Sequence, residues 1–323
     1  MRGSFTTGNR GRPQEATAFR LRARGSEGYC PTMGTVVVGV DGSVGGAAAL
    51  QWAAREARLR RWQLRVVMAW GLLDQHQANP GMAFDPKYGA VEARAALDAL
   101  VAQAIGEEAA ADVEPRPVCD LPARALLEAA AGASLLVVGA RGLGGFHGLL
   151  IGSVSQHCLR HASCPVAVVH RSEGAAPTGA EAGRIVVGID GSAAARRALE
   201  WALDEARART AALDVVYAWH LPHEARVPVA TLGMEPDLLE DAARVTLDEA
   251  VDGQDTGGLS SPLNRVLAYG RPTPSILERA DGADLVVVGS RGRGGFSGLL
   301  LGSVSQQVAH HATCPVVVIP HER

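Results

Sequence analysis

The chain has 323 residues, of which 47% are apolar, 4% aromatic and 20% charged. This composition is typical of a soluble globular protein with roughly two domains of ~150 residues, each long enough to bury a core. The formal net charge of −3 gives no general attraction to a phosphate backbone or an anionic membrane, so neither nucleic acid nor a membrane surface is an expected partner. No apolar run approaches the ~18 residues that span a bilayer, and no apolar signal core is found near the N-terminus, so we expect a cytoplasmic protein.

The cysteine and lysine content excludes several kinds of chemistry. The cysteines form no C-x-x-C pair and have no histidine at zinc-ligand spacing, which argues against a zinc site and a disulfide framework. Buried free thiols are the expected state. They are Cys30, Cys119, Cys158, Cys164 and Cys314. Because Lys87 is the only lysine, chemistry that needs a lysine in a glycine-rich loop is excluded.

The N-terminal residues 1–33 are rich in Gly, Arg, Ser and Thr and show no apolar periodicity, so we predict a disordered tail. Six arginines against Glu15 and Glu27 also suit a basic arm that contacts nucleic acid or a protein partner. A short tail without interleaved aromatic residues is more often only solvated. Met33, directly before the first predicted strand, is an alternative start of the protein.

The rest of the chain contains two copies of one unit. The segment VVVGVDGS at residues 36–43 returns as IVVGIDGS at 185–192, displaced by 149 positions. Residues 135–169 align without a gap with 285–319, and 23 of these 35 positions are identical. Many of the identities are glycine or polar residues, which core packing alone would not require. We therefore predict two domains, at 34–170 and 184–320, with a flexible linker at 171–183.

Within each copy, short β-branched runs alternate with longer helical patterns, which predicts a parallel sheet with helices on both faces. We expect five strands and four helices per copy. In copy one the strands are expected at about 35–40, 64–70, 114–119, 134–139 and 165–169. Further helices are expected near 88–111 and 236–252 and, beginning around a proline, near 122–132 and 272–281.

The helix after the first strand has one apolar face. Ala49, Trp52 and Ala53 lie at positions i, i+3 and i+4, and Trp201 occupies the same place in copy two. This spacing predicts that both tryptophans face the sheet as core residues rather than serving as a platform for a ligand.

The fourth strand of each copy leads into a glycine-rich segment with the layout of an anion-binding loop. Gly139 ends the strand, and we expect its missing Cβ to let the chain turn and a ligand approach the backbone. Gly152 and Ser153 open the next helix, whose free N–H groups bind phosphate without a basic side chain. Ser153 is the expected N-cap, and Ser153 and Ser155 are expected to add hydroxyl donors.

Two common nucleotide-binding loops are excluded. A Walker A loop needs a lysine directly before its Ser or Thr, where this chain has Gly152 or Gly302. The dinucleotide fingerprint G-x-G-x-x-G is also missing after the first strand, since the sequence reads DGSVGG from Asp41 and DGSAAA from Asp190. A dehydrogenase is therefore not expected.

Asp41 and Asp190 follow the first strand of their copies. In a doubly wound sheet the first and fourth strands flank the point where the winding reverses, and ligands bind outside their carboxyl ends. A carboxylate would repel phosphates, so we expect each aspartate to face the sugar or base of a nucleotide. The alternatives are a magnesium ligand and the N-cap of the following helix.

These residues resemble the universal stress protein (UspA) family in its tandem two-domain form. The resemblance rests on Val-Asp-Gly-Ser after the first strand, G-x2-G-x9-G-S after the fourth, and a closing Cys-Pro-Val strand. It implies, for each copy, a Rossmann-like α/β domain of strand order 3-2-1-4-5 that binds ATP, with or without Mg²⁺. The implied site in copy one is Asp41, Ala69, Gly139, Arg141, Gly142, Gly152, Ser153, Val154 and Ser155. In copy two it is Asp190, Ala218, Gly289, Arg291, Gly292, Gly302, Ser303, Val304 and Ser305.

The resemblance assigns the backbone of Ala69 and Ala218 to the adenine. Copy one departs from the family pattern after its third strand. The family usually has a glycine there, which copy two matches with Gly270, whereas copy one has Asp120. We expect the turn of copy one to differ and its nucleotide affinity to be altered.

The last strands, at 164–169 and 314–319, would each leave an exposed apolar edge in an isolated domain. The family commonly dimerises through this strand. We predict that the two strands pair within the chain, and a larger homodimer is also expected.

Phosphoryl transfer needs a clamp on the γ-phosphate and a group that orients the nucleophile. The chain offers a cradle and two arginines but no lysine and no obvious base, so we expect at most slow ATP hydrolysis. His161 and His311 lie late in the fourth helix and are expected to be structural.

The expected function is a nucleotide-sensing regulator of a stress or dormancy response, acting through an unidentified protein partner. The alternatives are a scaffold of the same fold that binds no nucleotide and an enzyme of the adenine-nucleotide α-hydrolase type.

Overall fold

The computed structural model of the chain describes residues 34–71, 89–143, 150–170, 183–220, 236–293 and 300–321. The predicted tail at 1–33 lies outside the described residues. The predicted linker at 171–183 also lies outside them, apart from Gly183.

Copy one alternates strands and helices as its sequence pattern predicts. Its strands are β1 (Thr35–Gly39), β2 (Gln63–Trp70), β3 (Val113–Cys119), β4 (Leu135–Gly139) and β5 (Val166–Val169). Its helices are α1 (Val44–Arg60), α2 (Ala90–Ile105), α3 (Glu107–Ala110), α4 (Pro122–Ala129) and α5 (Ser153–His161). The prediction of one helix over 88–111 is wrong, because Gly106 has a φ of 84° and separates α2 from the short α3.

Copy two has the same order of elements with an unbroken second helix. Its strands are β6 (Arg184–Ile189), β7 (Ala212–Trp219), β8 (Leu263–Tyr269), β9 (Leu285–Gly289) and β10 (Val316–Ile319). Its helices are α6 (Ala193–Arg209), α7 (Pro236–Asp252), α8 (Pro272–Ala280) and α9 (Ser303–His311). Both α4 and α8 begin with a proline, as predicted.

The ten strands form one continuous sheet of order β3-β2-β1-β4-β5-β10-β9-β6-β7-β8. Each copy therefore has the predicted order 3-2-1-4-5, and all pairs within a copy are parallel. The copies meet where β5 and β10 pair antiparallel, with Val168 opposite Val316. This confirms the predicted pairing of the last strands within the chain, and it merges the two predicted sheets into one.

The central strands are buried on both faces. Val36, Val37 and Val38 have no exposed surface, because helices cover the sheet above and below. Trp52 is also in the core, with 4% of its surface exposed, as predicted. Trp201 is only partly buried, although it packs against the same core.

A reciprocal ion-pair network also joins the copies, between the C-terminal halves of α1 and α6. Glu56 and Glu205 are buried, and each carboxylate contacts both Arg60 and Arg209. The Arg60 guanidinium lies 5.1 Å from the ring of Trp201 in the other copy. The sequence analysis missed this network, which fixes how the two halves pack together.

Candidate functional site

The proposed site of copy one is assembled at the carboxyl ends of β1 and β4. These strands are parallel neighbours, with Val38 opposite Val137. β2 lies on the other side of β1 and β5 on the other side of β4, so the winding of the sheet reverses between the two central strands. The loops that follow β1 and β4 leave the sheet side by side at this point, which is where doubly wound folds bind ligands.

The Asp41 carboxylate ties these two loops together. Its Oδ1 accepts a hydrogen bond from the Ser43 N–H at 3.0 Å, and its Oδ2 accepts one from the Leu143 N–H at 2.8 Å. The N-cap interpretation of Asp41 is wrong, because Ser43 caps α1 by accepting from the Gly46 N–H at 2.9 Å. Oδ1 also accepts a hydrogen bond from the Ser43 hydroxyl at 2.5 Å. The aspartate therefore positions the loops, and only its Oδ2 keeps a lone pair for a further donor.

Copy two repeats this arrangement closely. Asp190 accepts from the Ser192 N–H at 3.0 Å and from the Arg293 N–H at 2.7 Å. Ser192 is the N-cap of α6, so the N-cap interpretation is wrong here as well. Each half of the molecule therefore has what we call a carboxylate clasp: the aspartate after the first strand accepts hydrogen bonds from the amides of two loops.

Gly142 and Gly292 are required by this clasp. A Cβ at Gly142 would overlap Oδ2 of Asp41, and a Cβ at Gly292 would overlap Oδ2 of Asp190. The resemblance placed both glycines in the implied nucleotide site. The structure shows that they first make room for the aspartate.

Gly139 also has a role in packing that the sequence analysis missed. A Cβ at this position would lie 2.7 Å from the carbonyl oxygen of Gly45 in the first turn of α1. At Gly289 the nearest atom is the carbonyl carbon of Ala194, at 2.9 Å. The missing side chain therefore lets the following helix pack against the strand, and contact of a ligand with Gly139 stays a prediction.

Gly152, not Ser153, is the N-cap of α5, and Gly302 is the N-cap of α9. The prediction of Ser153 as the cap is therefore wrong. The Gly152 N–H donates to the Ala140 carbonyl at 2.7 Å, and the Gly302 N–H donates to the Ser290 carbonyl at 2.8 Å. These bonds hold each helix start against the end of the fourth strand.

The next three amides of each helix have no acceptor among the residues that the structure describes. Within the described residues, no atom accepts a hydrogen bond from the N–H of Ser153, Val154 or Ser155. The first bond inside α5 runs from Gln156 to the Gly152 carbonyl. The corresponding amides of α9 also have no such acceptor; they belong to Ser303, Val304 and Ser305. Such amides carry the positive end of the helix dipole.

Ser155 and Ser305 were expected to offer hydroxyl donors to the ligand, but both hydroxyls donate to protein carbonyls instead. Ser155 is 4% exposed and donates to the Gly139 carbonyl at 2.7 Å. Ser305 is 2% exposed and donates to the Ser290 carbonyl at 3.0 Å. Because a hydroxyl has a single hydrogen to donate, these serines brace the helix start, and the exposed Ser153 and Ser303 keep their hydroxyls at the surface.

The arginines after β4 and β9 differ between the copies. Arg141 is exposed, whereas Arg291 is half-buried. The Nε of Arg291 is buried without a hydrogen-bond acceptor in the part of the chain that the structure describes. A buried guanidinium nitrogen without an acceptor is costly, so this position favours an anionic or oxygen-rich ligand.

Ala69 and Ala218 are the penultimate residues of β2 and β7. They lie at the same carboxyl end of the sheet as the aspartates, on the strands that are adjacent to β1 and β6. Both residues are partly exposed at that end of the sheet.

Comparison with known proteins identifies this architecture. The Universal stress protein family matches residues 33–170 and again residues 181–320. The chain belongs to the universal stress protein family. Universal stress protein Rv2005c of Mycobacterium tuberculosis is 34% identical over 297 residues, which cover 88% of this chain and 96% of that protein.

Two further comparisons agree with this assignment. A universal stress protein of Mycolicibacterium smegmatis is 36% identical over 294 residues, covering 88% of this chain and 96% of that protein. The crystal structure of a universal stress protein from Archaeoglobus fulgidus DSM 4304 matches with a TM-score of 0.61 at 22% identity. It covers 90% of this chain and 97% of that one, and at this identity it supports the fold alone.

The two universal stress protein domains differ in the turn after the third strand, as predicted. In copy two, Gly270 has a φ of 144° and its N–H donates to the Trp219 carbonyl at 2.8 Å. In copy one, the Asp120 N–H donates to the Val118 carbonyl at 3.1 Å. A hydrogen bond from Arg124 lowers the pKa of Asp120, so the side chain stays ionised in this turn.

Three of the four cysteines that the structure describes are buried. Cys158, Cys164 and Cys314 are buried as predicted, and burial raises their pKa values to about 12, 12 and 11, so they are not nucleophiles. Cys119 is exposed, contrary to prediction, and Cys30 lies outside the described residues.

The two matched histidines, His161 and His311, end α5 and α9 at the far end from the free amides. In the described ranges no group of three or more His, Cys, Asp or Glu residues is placed to hold a metal ion. No helix among the described residues is long and apolar enough to span a membrane.

Proposed function

We propose that each universal stress protein domain of this chain binds one adenine nucleotide, with ATP as the preferred ligand. The observation that carries the proposal is the start of α5 and α9, where three consecutive amides have no acceptor in the described part of the chain. A helix start of this kind attracts the negative charge of a phosphate and offers it hydrogen bonds. The carboxylate clasp holds the neighbouring loop in place beside it.

The N-cap glycine of copy one supports a ligand at this position. Gly152 has φ −76° and ψ 161°, a conformation open to any residue. A Cβ there would lie no closer than 3.6 Å to any other atom of the described chain, so the protein fold does not itself require glycine. A phosphate resting on the backbone of Gly152 would require it. This is the contrast with Gly142, whose Cβ would overlap Asp41.

The remaining site residues suit the other parts of the nucleotide. The free amides and the hydroxyls of Ser153 and Ser303 would hold the phosphates. The free lone pairs of Asp41 and Asp190 would accept hydrogen bonds from ribose hydroxyls, and the backbone near Ala69 and Ala218 would contact the adenine. A Mg²⁺ ion would then be held mainly by the phosphates, since each aspartate already accepts two backbone N–H groups.

The chemistry of the site favours binding over catalysis. The cradle contains no lysine, and the neighbouring thiols are buried and protonated. We infer that hydrolysis of bound ATP is slow and that the chain acts in the cytoplasm as a nucleotide-sensing regulator. Its nucleotide state would change its contacts with a protein partner in a stress or dormancy response.

The test is native mass spectrometry of the full chain with ATP. The parent chain is expected to bind two nucleotides. Gly152→Val and Gly302→Val place a side chain where the phosphates would rest, so each is expected to bind one nucleotide and the double variant none. Circular dichroism checks that the variants fold. Two nucleotides on a folded double variant would contradict the site, and no nucleotide on the parent chain would contradict the function.

A further inference from the structure

A hollow lies among the amino ends of the strands of copy one, at the end of the sheet opposite the proposed nucleotide site. Its volume is about 650 Å³, within the size range of ligand sites. Its walls are the last turn of α1, the start of β2, the break at Gly106 and the start of β3. Ala54, Ala57 and Leu64 give it an apolar floor. None of the proposed nucleotide-binding residues lines it.

In copy two the chain itself fills the matching place. The connection between α7 and β8 has ten residues, 253–262, whereas the one between α2 and β3 has seven, 106–112. The longer loop folds back onto α6. Arg207 donates through Nε to the Gly257 carbonyl at 2.8 Å and through a terminal nitrogen to the Asp255 carbonyl. Leu259, in the same loop, packs against the core.

The corresponding arginine of copy one has no such partner. Arg58 aligns with Arg207 at the displacement of 149 and lines the hollow. Its guanidinium makes no hydrogen bond or ion pair with the part of the chain that the structure describes, and the same holds for its neighbour Arg61. Copy one therefore keeps the arginine but has no counterpart of the loop that Arg207 binds in copy two.

The charges around the hollow also suit a polypeptide. Arg58 and Arg61 lie on the α1 side, and Glu107, Glu108 and Asp112 lie on the opposite side. A peptide offers carbonyl oxygens to the arginines, and its amide groups and basic side chains suit the carboxylates. A simple anion would match only one of these two walls.

We propose that this hollow binds an extended peptide segment of a partner protein. Carbonyl oxygens of the peptide accept hydrogen bonds from Arg58, as those of Asp255 and Gly257 do from Arg207 in copy two. The site is separate from the nucleotide sites and does not depend on their occupancy. The second half of the molecule is the template for the contact.

The experiment is a selection of random ten-residue peptides, displayed on phage, against the full chain saturated with ATP. The selected peptides are then synthesised and titrated calorimetrically into the parent chain and into Arg58→Ala. Since Arg58 supplies charge-assisted hydrogen bonds, its removal is expected to weaken binding about tenfold. Arg207→Ala is the matched control in copy two and is expected to leave the affinity unchanged.

A second variant fills the hollow from within the chain. Replacing residues 106–112 by residues 253–262 gives copy one the loop of copy two, and this variant is expected to lose peptide binding. If the exchange variant does not fold, the comparison of Arg58→Ala with Arg207→Ala decides alone. A selection that yields no peptide, or peptides whose affinity survives Arg58→Ala, overturns the proposal.

Discussion

Within the described residues, the two halves of the molecule share their sheet, their carboxylate clasp and the helix amides that have no acceptor, but differ in two connections. The turn after the third strand uses Asp120 in copy one and Gly270 in copy two. The connection before that strand leaves a hollow in copy one and fills it in copy two. The shared features surround the proposed nucleotide, whereas one of the differences is at the opposite end of the sheet. The two copies therefore have the same proposed phosphate-binding residues, whereas the connection at the opposite end of the domain differs between them.

The largest expected effect comes from breaking the symmetry of the ion-pair network between the halves. Glu205→Ala leaves Arg60 and Arg209 without one of their carboxylates, and we expect a loss of about 3 kcal/mol in the free energy of unfolding. Glu56→Ala is expected to cost about the same, because the two glutamates are equivalent in the network. Denaturant unfolding measures both. Asp98→Ala, which breaks an exposed pair with Arg94, is the control, with an expected loss below about 1 kcal/mol.

The carboxylate clasp gives the next largest effect. Gly142→Ala forces Asp41 away from the Leu143 amide, so we expect a loss of about 1–2 kcal/mol in stability and weaker ATP binding in copy one. Gly152→Ala is the matched control for stability, since its Cβ meets no close atom. Chemical denaturation and ATP titration follow the two effects. Equal stability of Gly142→Ala and Gly152→Ala would show that the clasp contributes nothing.

A pH dependence should arise from a residue that only copy one has. His170 lies at the junction of the halves, with ring nitrogens 2.9 Å from the Ala309 carbonyl and 3.2 Å from the Cys314 carbonyl, and Pro320 takes its place in copy two. Burial lowers the pKa of His170 and outweighs these two hydrogen bonds, which act in the opposite direction.

The folded chain therefore takes up this proton at lower pH than the unfolded chain, whose histidine has a pKa of about 6.5. Stability from this residue is complete above that pH and falls as the pH drops below it. Unfolding midpoints of the parent and of His170→Asn, measured between pH 8 and pH 5, should diverge only in the acidic range. A constant difference across the range would contradict the assignment.

The smallest effect concerns the turn after the third strand. Asp120→Gly gives copy one the residue found in copy two and removes the contact of Asp120 with Arg124. We expect little change in stability, since surface pairs contribute about 0–1 kcal/mol, and a shift in the ATP affinity of copy one toward that of copy two. Calorimetric titration of a Gly302→Val background isolates copy one. Unchanged affinity would mean that this turn does not contact the nucleotide.

Much of the fold could be predicted from the sequence because the β-branched runs and the internal repeat are strong signals. The strand order and the pairing of β5 with β10 were predicted correctly from the resemblance and from the need to cover two apolar edges. The break at Gly106 was missed, because a glycine inside an alanine-rich helical pattern is compatible both with a continuous helix and with a helix end.

The site was predicted less completely, because sequence shows which residues lack side chains but not what lies next to them. Gly139 and Gly142 make room for protein atoms, whereas a Cβ at Gly152 would make only ordinary contacts with them. The clasp depends on backbone amides of Ser43 and Leu143, and the Asp-x-Ser pattern after β1 was the one signal for it. The ion pair of Glu56 with Arg209 joins the two copies, so it could not be predicted without knowing how the copies pack together.

The central claim is that the first amides of α5 and α9 capture the phosphates of a nucleotide. The most direct measurement is nuclear magnetic resonance of the isotope-labelled full chain during titration with ATP. The account predicts that the amide signals of Ser153, Val154, Ser303 and Val304 shift together and saturate at two nucleotides per chain. Saturable ATP binding that leaves these four amide signals in place would contradict it.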